Sequence, residues 1–159
     1  MKDYIAKLRE KIGQDKFIHP AARIIIENEL GEILFIERND NGKIGLPAGG
    51  LEEGETIREC IIREVKEETG LILLDASVIG IITDPRKETV TYPNGDVVQY
   101  FTIEFYSNQW SGEVAVEDTD EIRSAKFMPA SFLEQLMPNE KSIIKSLEMY
   151  RCGEGLHLD

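Results

Sequence analysis

The sequence predicts an α+β fold: a mixed sheet with one central helix and further helices at both ends. Three observations carry this. Runs rich in β-branched and aromatic residues recur along the chain, as in "RIIIEN", "EILFIER" and "VVQYFTIEFYS". One long helical pattern, residues 56–69, interrupts them, and shorter ones stand at the start and the finish. No repeat, low-complexity tract or long linker divides the chain. Residues 1–159 therefore read as one domain, with 1–16 as an N-terminal helical extension.

In residues 3–12, Ile5, Leu8 and Ile12 recur at helical spacing and Gly13 stops the run. "FIHPAARIIIEN" (17–28) predicts a strand once past Pro20, with its β-branched centre at Ile24–Ile26. "ELGE" turns into a second strand at 32–38, and "NDNGK" (39–43) is a loop. "GLPAGGLEEGE" (45–55) carries one proline and four glycines, which predicts an ordered loop and no regular element. After the 56–69 helix, 71–84 is apolar and β-branched, hence strand. Residues 85–96 read as a long loop or hairpin with an Asn94-Gly95 turn signal, leading into a strand over 97–107. A short strand follows at 121–129, then two closing helices, 130–136 and 140–150, parted by Pro138.

Composition narrows the function. Hydrophobic residues make up 42% and charged residues 30%, which suits a globular chain and not a disordered one. With 18 Lys and Arg against 30 Asp and Glu, the net charge is −12, which argues against a nucleic acid polymer as partner. A small phosphorylated ligand stays open, because a bound cation inverts the local sign. No apolar run approaches the ~20 residues of a membrane span, and "MKDYIAKLREKIG" has no apolar signal centre. Two cysteines, Cys60 and Cys152, read as reduced thiols of a cytoplasmic protein.

The informative stretch is "REVKEETG", residues 63–70. Glu64, Glu67 and Glu68 fall at i, i+3 and i+4, spanning about 100° of helix surface. Gly70 marks the helix end, so Glu67 and Glu68 lie in the last turn, where the dipole opposes anions. Ile57, Ile61 and Val65 occupy the adjoining arc, so the acids border the buried stripe, where a carboxylate needs a cation. No Lys or Arg lies four residues after any of them, and the adjacent Arg63 can orient one without neutralising all three. A divalent cation fits, and hard carboxylate oxygens favour Mg²⁺ or Mn²⁺ over zinc. On composition alone, an acidic solvated face remains an alternative.

The wider spacing extends the pattern: Gly49, five residues, Glu55, seven residues, then Arg63-Glu64-Val65-Lys66-Glu67-Glu68-Thr69-Gly70-Leu71. These 23 residues resemble the signature of the Nudix, MutT-like, hydrolases at every fixed position. The resemblance implies an α/β/α sandwich and divalent-metal-dependent attack of water on the diphosphate of a nucleoside diphosphate linked to another group. It implies that Glu64, Glu67 and Glu68 hold Mg²⁺, with Mn²⁺ as a substitute. It further implies that Gly49 offers its carbonyl, that Arg63 orients Glu64, and that Glu55 supports the loop–helix junction or an extra metal. The alternative is a non-catalytic Nudix module that senses nucleotides or mediates interactions. Such modules usually lose a metal-binding glutamate, and this sequence keeps all of them.

Outside the box, the order Pro47-Ala48-Gly49 resembles the ADP-ribose-cleaving branch, and Pro85, fifteen residues after Gly70, resembles that branch's downstream proline. The alternatives are a tolerated alanine and a strand-breaking proline. "TYPNGDVVQYF" (91–101) resembles the hairpin of a bacterial Nudix group with an N-terminal helix, where Tyr92, Asn94 or Gln99 would read a base or sugar, unless it is a plain hairpin. Glu121, six residues before Phe127, stands where a MutT-like enzyme places an extra catalytic carboxylate. The expected partner is a small nucleotide: a nucleoside triphosphate, oxidised ones included, or ADP-ribose or a related nucleotide sugar. No membrane is expected. A homodimer would cover the apolar positions of the 3–12 helix. His19 and Trp110 read as structural, and Cys60 as no low-pKa nucleophile.

Overall fold

A computed structural model describes residues 3–159; residues 1 and 2 of the expected extension lie outside them. Helix α1 (Asp3–Ile12) ends at Gly13, whose φ of 62° needs a residue without Cβ. Strands β1 (Phe17–Ile26), β4 (Ala48–Gly50), β5 (Ile72–Ile82), β6 (Thr89–Thr91), β7 (Val97–Ser111) and β9 (His157–Leu158) form a mixed sheet in the order β4-β1-β7-β5-β9, with β6 paired to β7. Strands β2 (Ile33–Arg38), β3 (Ile44–Gly45) and β8 (Ile122–Met128) form a second sheet in the order β3-β2-β8. The fifteen-residue β7 organises the larger sheet. Parallel β1 covers one of its edges over Val98–Ser107; antiparallel β6 and β5 cover the other over Val97–Gln99 and Thr102–Ser111.

Two apolar layers flank the sheets. Ala22, Ile24, Ile26, Leu34 and Phe105 pack against Cys60, Ile61 and Val65 of helix α2 (Ile57–Thr69). The alternate residues Ile25, Ile33, Phe35 and Ile79 pack against Leu133 of a 3₁₀ segment (Ala130–Gln135). Ile143 and Leu147 of the closing helix, Ser142–Arg151, complete that layer. Side chains at successive strand positions point to opposite faces, so one β-branched run feeds both layers. The result is the α/β/α sandwich that the family resemblance implies.

Several elements depart from the sequence expectation. Strand β1 begins at Phe17, before Pro20, because β4 pairs only with Ala21–Arg23. Pro20 lies beyond that ladder and its carbonyl accepts Leu51 N–H at 3.0 Å, so the missing proline N–H costs no ladder bond. The loop expected to be without regular structure contributes β4, in which Gly49 pairs with Ala22. Within 85–96 a helical turn, α3 (Pro85–Glu88), precedes the hairpin; Asp84 caps it by accepting Arg86 N–H at 2.9 Å, with Pro85 at the first helical position. Where a helix was expected over 130–136, Ala130–Gln135 form a 3₁₀ segment; the closing helix, α4 (Ser142–Arg151), follows it. The short β9 had no sequence signal and pairs with Gly80 and Ile81 of β5. Helix α1 packs on its own chain: Tyr4 meets His19 with ring centroids 5.9 Å apart, and Arg9 pairs with Asp96 at 3.4 Å and lies over Phe17. No helix among the described residues is long and apolar enough to cross a membrane.

Candidate active site

Helix α2 is held at both ends. Thr56 and Glu59 form a capping box: Glu59 N–H donates to Thr56 Oγ1 at 3.2 Å and Thr56 N–H to Glu59 Oε2 at 2.7 Å. Glu55, expected to open the helix, therefore stands one residue before the cap. Gly70 adopts φ 79° and returns its N–H to Lys66 O, and a Cβ there would meet Ala115 O at 2.3 Å. The acidic segment after β7 crosses this end. Ala115 N–H donates to Thr69 O, and Glu117 and Asp118 N–H to Glu67 O, at 2.8–3.0 Å. These donors satisfy helix carbonyls that would otherwise be orphaned.

Along the helix edge the box residues converge on β4. A Cβ at Gly49 would sit 2.0 Å from Glu64 Oε1, so glycine there lets the Glu64 carboxylate lie against the strand backbone. Gly50 is needed for the same reason on its other side, where a Cβ would meet the His19 ring at 2.1 Å. His19 donates through Nε2–H to Leu51 O at 3.1 Å, and burial lowers its pKa, in keeping with a structural histidine. Glu68 is 3% exposed and its Oε1 accepts Ala48 N–H at 2.8 Å.

Arg63 joins the set more widely than the sequence suggested. Its Nε and one amino group grip Glu55 at 3.0 and 2.7 Å in a bidentate pair, and that amino group also reaches Gly50 O at 3.1 Å. The other amino group donates to Glu64 Oε1 at 2.7 Å and to Glu67 at 3.5 Å, an i,i+4 contact in which the cation precedes the acid. Arg63's bonds to Glu55 pull that carboxyl below its ordinary range. Burial pushes Glu64 up despite Arg63, and pushes Glu68 well up, with the nearby Glu64 charge adding to it. Cys60 also has Arg63 beside it, at 3.8 Å. Burial and Glu55 nevertheless raise its thiol to about 12, and the neutral Sγ–H faces Gly49 O at 3.7 Å.

Among the described residues no three acidic, histidine or cysteine side chains already close into a metal cage, since Glu64 turns to Arg63 and Glu68 to Ala48. The donors nevertheless fit a hard divalent cation. The half-buried Glu64 carboxylate adjoins a glycine backbone that only a missing Cβ lets it approach, and its charge acts on the buried Glu68.

The other expected site residues lie on the segment before β8 and on the β6–β7 hairpin. Glu121 is exposed on the segment before β8; its N–H donates to Asp118 Oδ1 at 3.3 Å and its carbonyl accepts Asn39 N–H. The charge of Asp118, in the same run, acts on Glu68. Tyr92, Asn94 and Gln99 belong to the β6–β7 hairpin. Tyr92 and Tyr100 hydroxyls bond each other, Asn94 is fixed by Asp96 and by Gln14 of the segment after α1, and Gln99 pairs with Thr89 and Ile18. Ile18 is four residues from Ala22, the partner of Gly49, so Gln99 lies two strands across and roughly 13 Å along the strand from Gly49, about 16 Å in all. Sequence reasoning missed Arg38, whose charge favours the ionised forms of Glu68 and Glu140. It also missed Glu140, whose Oε1 accepts Leu46 N–H at 3.2 Å. Arg38 ends an ordinary strand and Glu140 lies in the turn before an ordinary helix, so neither carries a local signal.

Comparison with known proteins bears on the family and the fold. The NUDIX domain model matches residues 17–147. The ADP-ribose pyrophosphatase of Methanocaldococcus jannaschii is 33% identical over 160 residues, covering 96% of this chain and 89% of that one. The 8-oxo-dGTP diphosphatase of Haemophilus influenzae is 29% identical over 62% of this chain and 69% of its own. Among solved structures, the MutT protein of Methanosarcina mazei superposes with a TM-score of 0.67 at 21% identity, covering 86% of this chain and 97% of that one. The NUDIX domain of Shewanella oneidensis NrtR, complexed with ADP ribose, gives 0.67 at 14% identity, covering 93% and 96%.

Proposed function

The chain belongs to the Nudix hydrolase family, a pyrophosphohydrolase acting on nucleotide derivatives, and on that premise we propose that it cleaves ADP-ribose or a related nucleoside diphosphate sugar with Mg²⁺. The observation that carries the reaction is the carboxylate edge of α2 laid against the Gly49 backbone. The full-length match to an ADP-ribose pyrophosphatase supports the substrate, as does the Pro47-Ala48-Gly49 order.

Glu64, Glu67, Glu68 and the Gly49 carbonyl would hold the cation, with Glu55 tied to them through Arg63. A bound divalent cation would neutralise diphosphate oxygens and lower the pKa of the attacking water. The chain's own groups do the rest. Arg63 fixes the Glu64 carboxylate through a 2.7 Å bond. Glu68, held by Ala48 N–H, keeps the loop against the helix. Water attacks one phosphorus, the bridging P–O bond breaks, and the bridging oxygen leaves with the other phosphate. A carboxylate of the edge accepts the water proton, a task suited to the raised basicity of Glu64 and Glu68. Glu121 is a further candidate for that proton, and Tyr92, Asn94 and Gln99 for contacts to the nucleoside. The same chemistry on an oxidised nucleoside triphosphate would release pyrophosphate.

The test is a substrate panel with product identification. ADP-ribose should yield AMP and ribose 5-phosphate with Mg²⁺ or Mn²⁺, and neither in chelator or in Glu64→Gln. Preferred release of pyrophosphate from 8-oxo-dGTP would replace the substrate assignment. Turnover indifferent to chelator would reject the metal site.

A further inference from the structure

The Leu46–Ala48 loop is pinned at three successive residues by three different elements. Leu46 N–H donates to Glu140 Oε1 at 3.2 Å, Pro47 O accepts Ile24 N–H of β1 at 3.1 Å, and Ala48 N–H donates to Glu68 Oε1 of α2 at 2.8 Å. The two carboxylates come from opposite layers. Glu68 belongs to the α2 side, whereas Glu140 precedes α4, and Leu46 packs with Leu133, Leu136 and Ile143 on that side. The route is kept open by Gly45, where a Cβ would lie 3.2 Å from Glu140 Oε1 and 3.4 Å from Oε2. Glu140 is itself set by a turn, its N–H donating to Met137 O at 2.8 Å. Burial raises the Glu140 carboxyl, and Leu46 N–H and Arg23 oppose the rise. Either protonation form keeps an oxygen able to accept the Leu46 N–H.

We infer that Glu140 is a positioning residue for the reaction: from the α4 layer, it fixes Leu46 and so sets where Pro47–Gly49, with the Gly49 carbonyl, stands against Glu64 and Glu68. This rests on the metal-site reading above, because it counts the Gly49 carbonyl among the donors. Three substitutions test it: Glu140→Ala removes the acceptor, Glu140→Gln keeps one, and Gly45→Ala pushes the carboxylate aside. Each is measured for Mg²⁺ affinity by calorimetric titration without nucleotide, for kcat and KM with ADP-ribose, and for amide exchange at residues 46–49. Glu140→Ala should lose about tenfold or more in Mg²⁺ affinity or kcat, as supporting contacts behind metal ligands do, with KM little changed and Leu46 N–H exchanging faster. Glu140→Gln should recover most of that loss, and Gly45→Ala should reproduce it. A folded Glu140→Ala with wild-type Mg²⁺ affinity and kcat overturns the inference, as does a Glu140→Gln as impaired as Glu140→Ala. Should Glu140→Ala not fold, Gly45→Ala decides: wild-type affinity and exchange there overturn it too. If the wild type neither binds Mg²⁺ nor turns over, the functional reading falls on its own. Leu46 exchange in Glu140→Ala then still decides the clamp, and unchanged exchange rejects it.

Discussion

Arg63 and Glu68 solve opposite problems within one helix. Arg63 compensates acids: its guanidinium contacts Glu55, Glu64 and Glu67. Removing it strands Glu55 and Glu64, whose side chains are only 15% and 13% exposed. A fully buried pair costs ~3–5 kcal/mol to break from one side; with Arg63 about a fifth exposed, solvent screening lowers this to roughly 2 kcal/mol. Arg63→Ala should therefore unfold at lower temperature at neutral pH, and the deficit should shrink as pH falls and the stranded carboxylates protonate. Melting curves over pH check this, and a pH-independent deficit would contradict it. For Glu68, the Ala48 N–H and the Arg38 charge do not offset burial. Its folded pKa is raised above the unfolded value by burial, so its protonated form favours the fold. That contribution is full below pH ~4.5 and is lost as pH rises through the raised value. Glu68→Gln keeps the acceptor for Ala48 N–H and removes the charge. It should match wild type at pH 4 and exceed it at pH 8 in melting temperature without metal, while turnover falls by roughly 10²–10⁴. A variant no more stable at pH 8, or one that keeps its activity, would refute the reading of Glu68 as a strained functional acid.

At the scale of the element, α2 shows what the sequence could and could not disclose. The acids at i, i+3 and i+4, the stop at Gly70 and the adjoining Ile61–Val65 stripe were all legible, because periodicity and end signals are local. The capping box was equally local but went unread, as Thr56 was placed inside the helix instead of at its cap. What tolerates two anions in the last turn was not legible: the donors of residues 115–118 arrive from beyond β7, and their backbone N–H groups leave no trace in residue type. The buried cluster on the other sheet face was hidden for the same reason. Arg23 sits in a β-branched run, and its carboxylate partners Glu88 and Glu104, at 2.6 and 2.8 Å, lie 65 and 81 residues away. The two helix ends should differ in cost. Thr56→Ala loses one side-chain cap, about 1 kcal/mol. Gly70→Ala meets the left-handed penalty of ~1–2 kcal/mol and also drives a Cβ to 2.3 Å from Ala115 O, displacing the segment that seals the helix. Denaturant titration of both variants should rank Gly70→Ala as the more damaging; equal midpoints would mean that the 115–118 crossing contributes nothing.

At the scale of the whole molecule, the site exists because two layers close on one loop. The chain carries −12 net charge, yet an acidic edge is held against the α2 core, with Glu68 buried and Glu64 and Glu67 half-buried. Such an arrangement is costly until a cation shares it, so ligation and global stability must be coupled. A ligand at a hundred times its Kd stabilises the native state by about 2.7 kcal/mol, which for a domain of this size raises Tm by roughly 5–10 °C. Mg²⁺ in excess should therefore raise the melting temperature of the wild type relative to chelator. The sign with pH follows from the raised carboxyls of Glu64 and Glu68: a metal ligand must be deprotonated, so protons compete with the cation. The Mg²⁺-induced shift should be larger at pH 8 than at pH 5.5, and smaller in Glu68→Gln than in wild type at pH 8. A solvated acidic face would give a small shift that salt abolishes, and a coordinated site one that survives added NaCl. Scanning calorimetry with Mg²⁺ or chelator, at both pH values and at low and high NaCl, separates the two. A shift lost in salt would return these carboxylates to ordinary surface acids and leave the family's metal chemistry without a site in this chain.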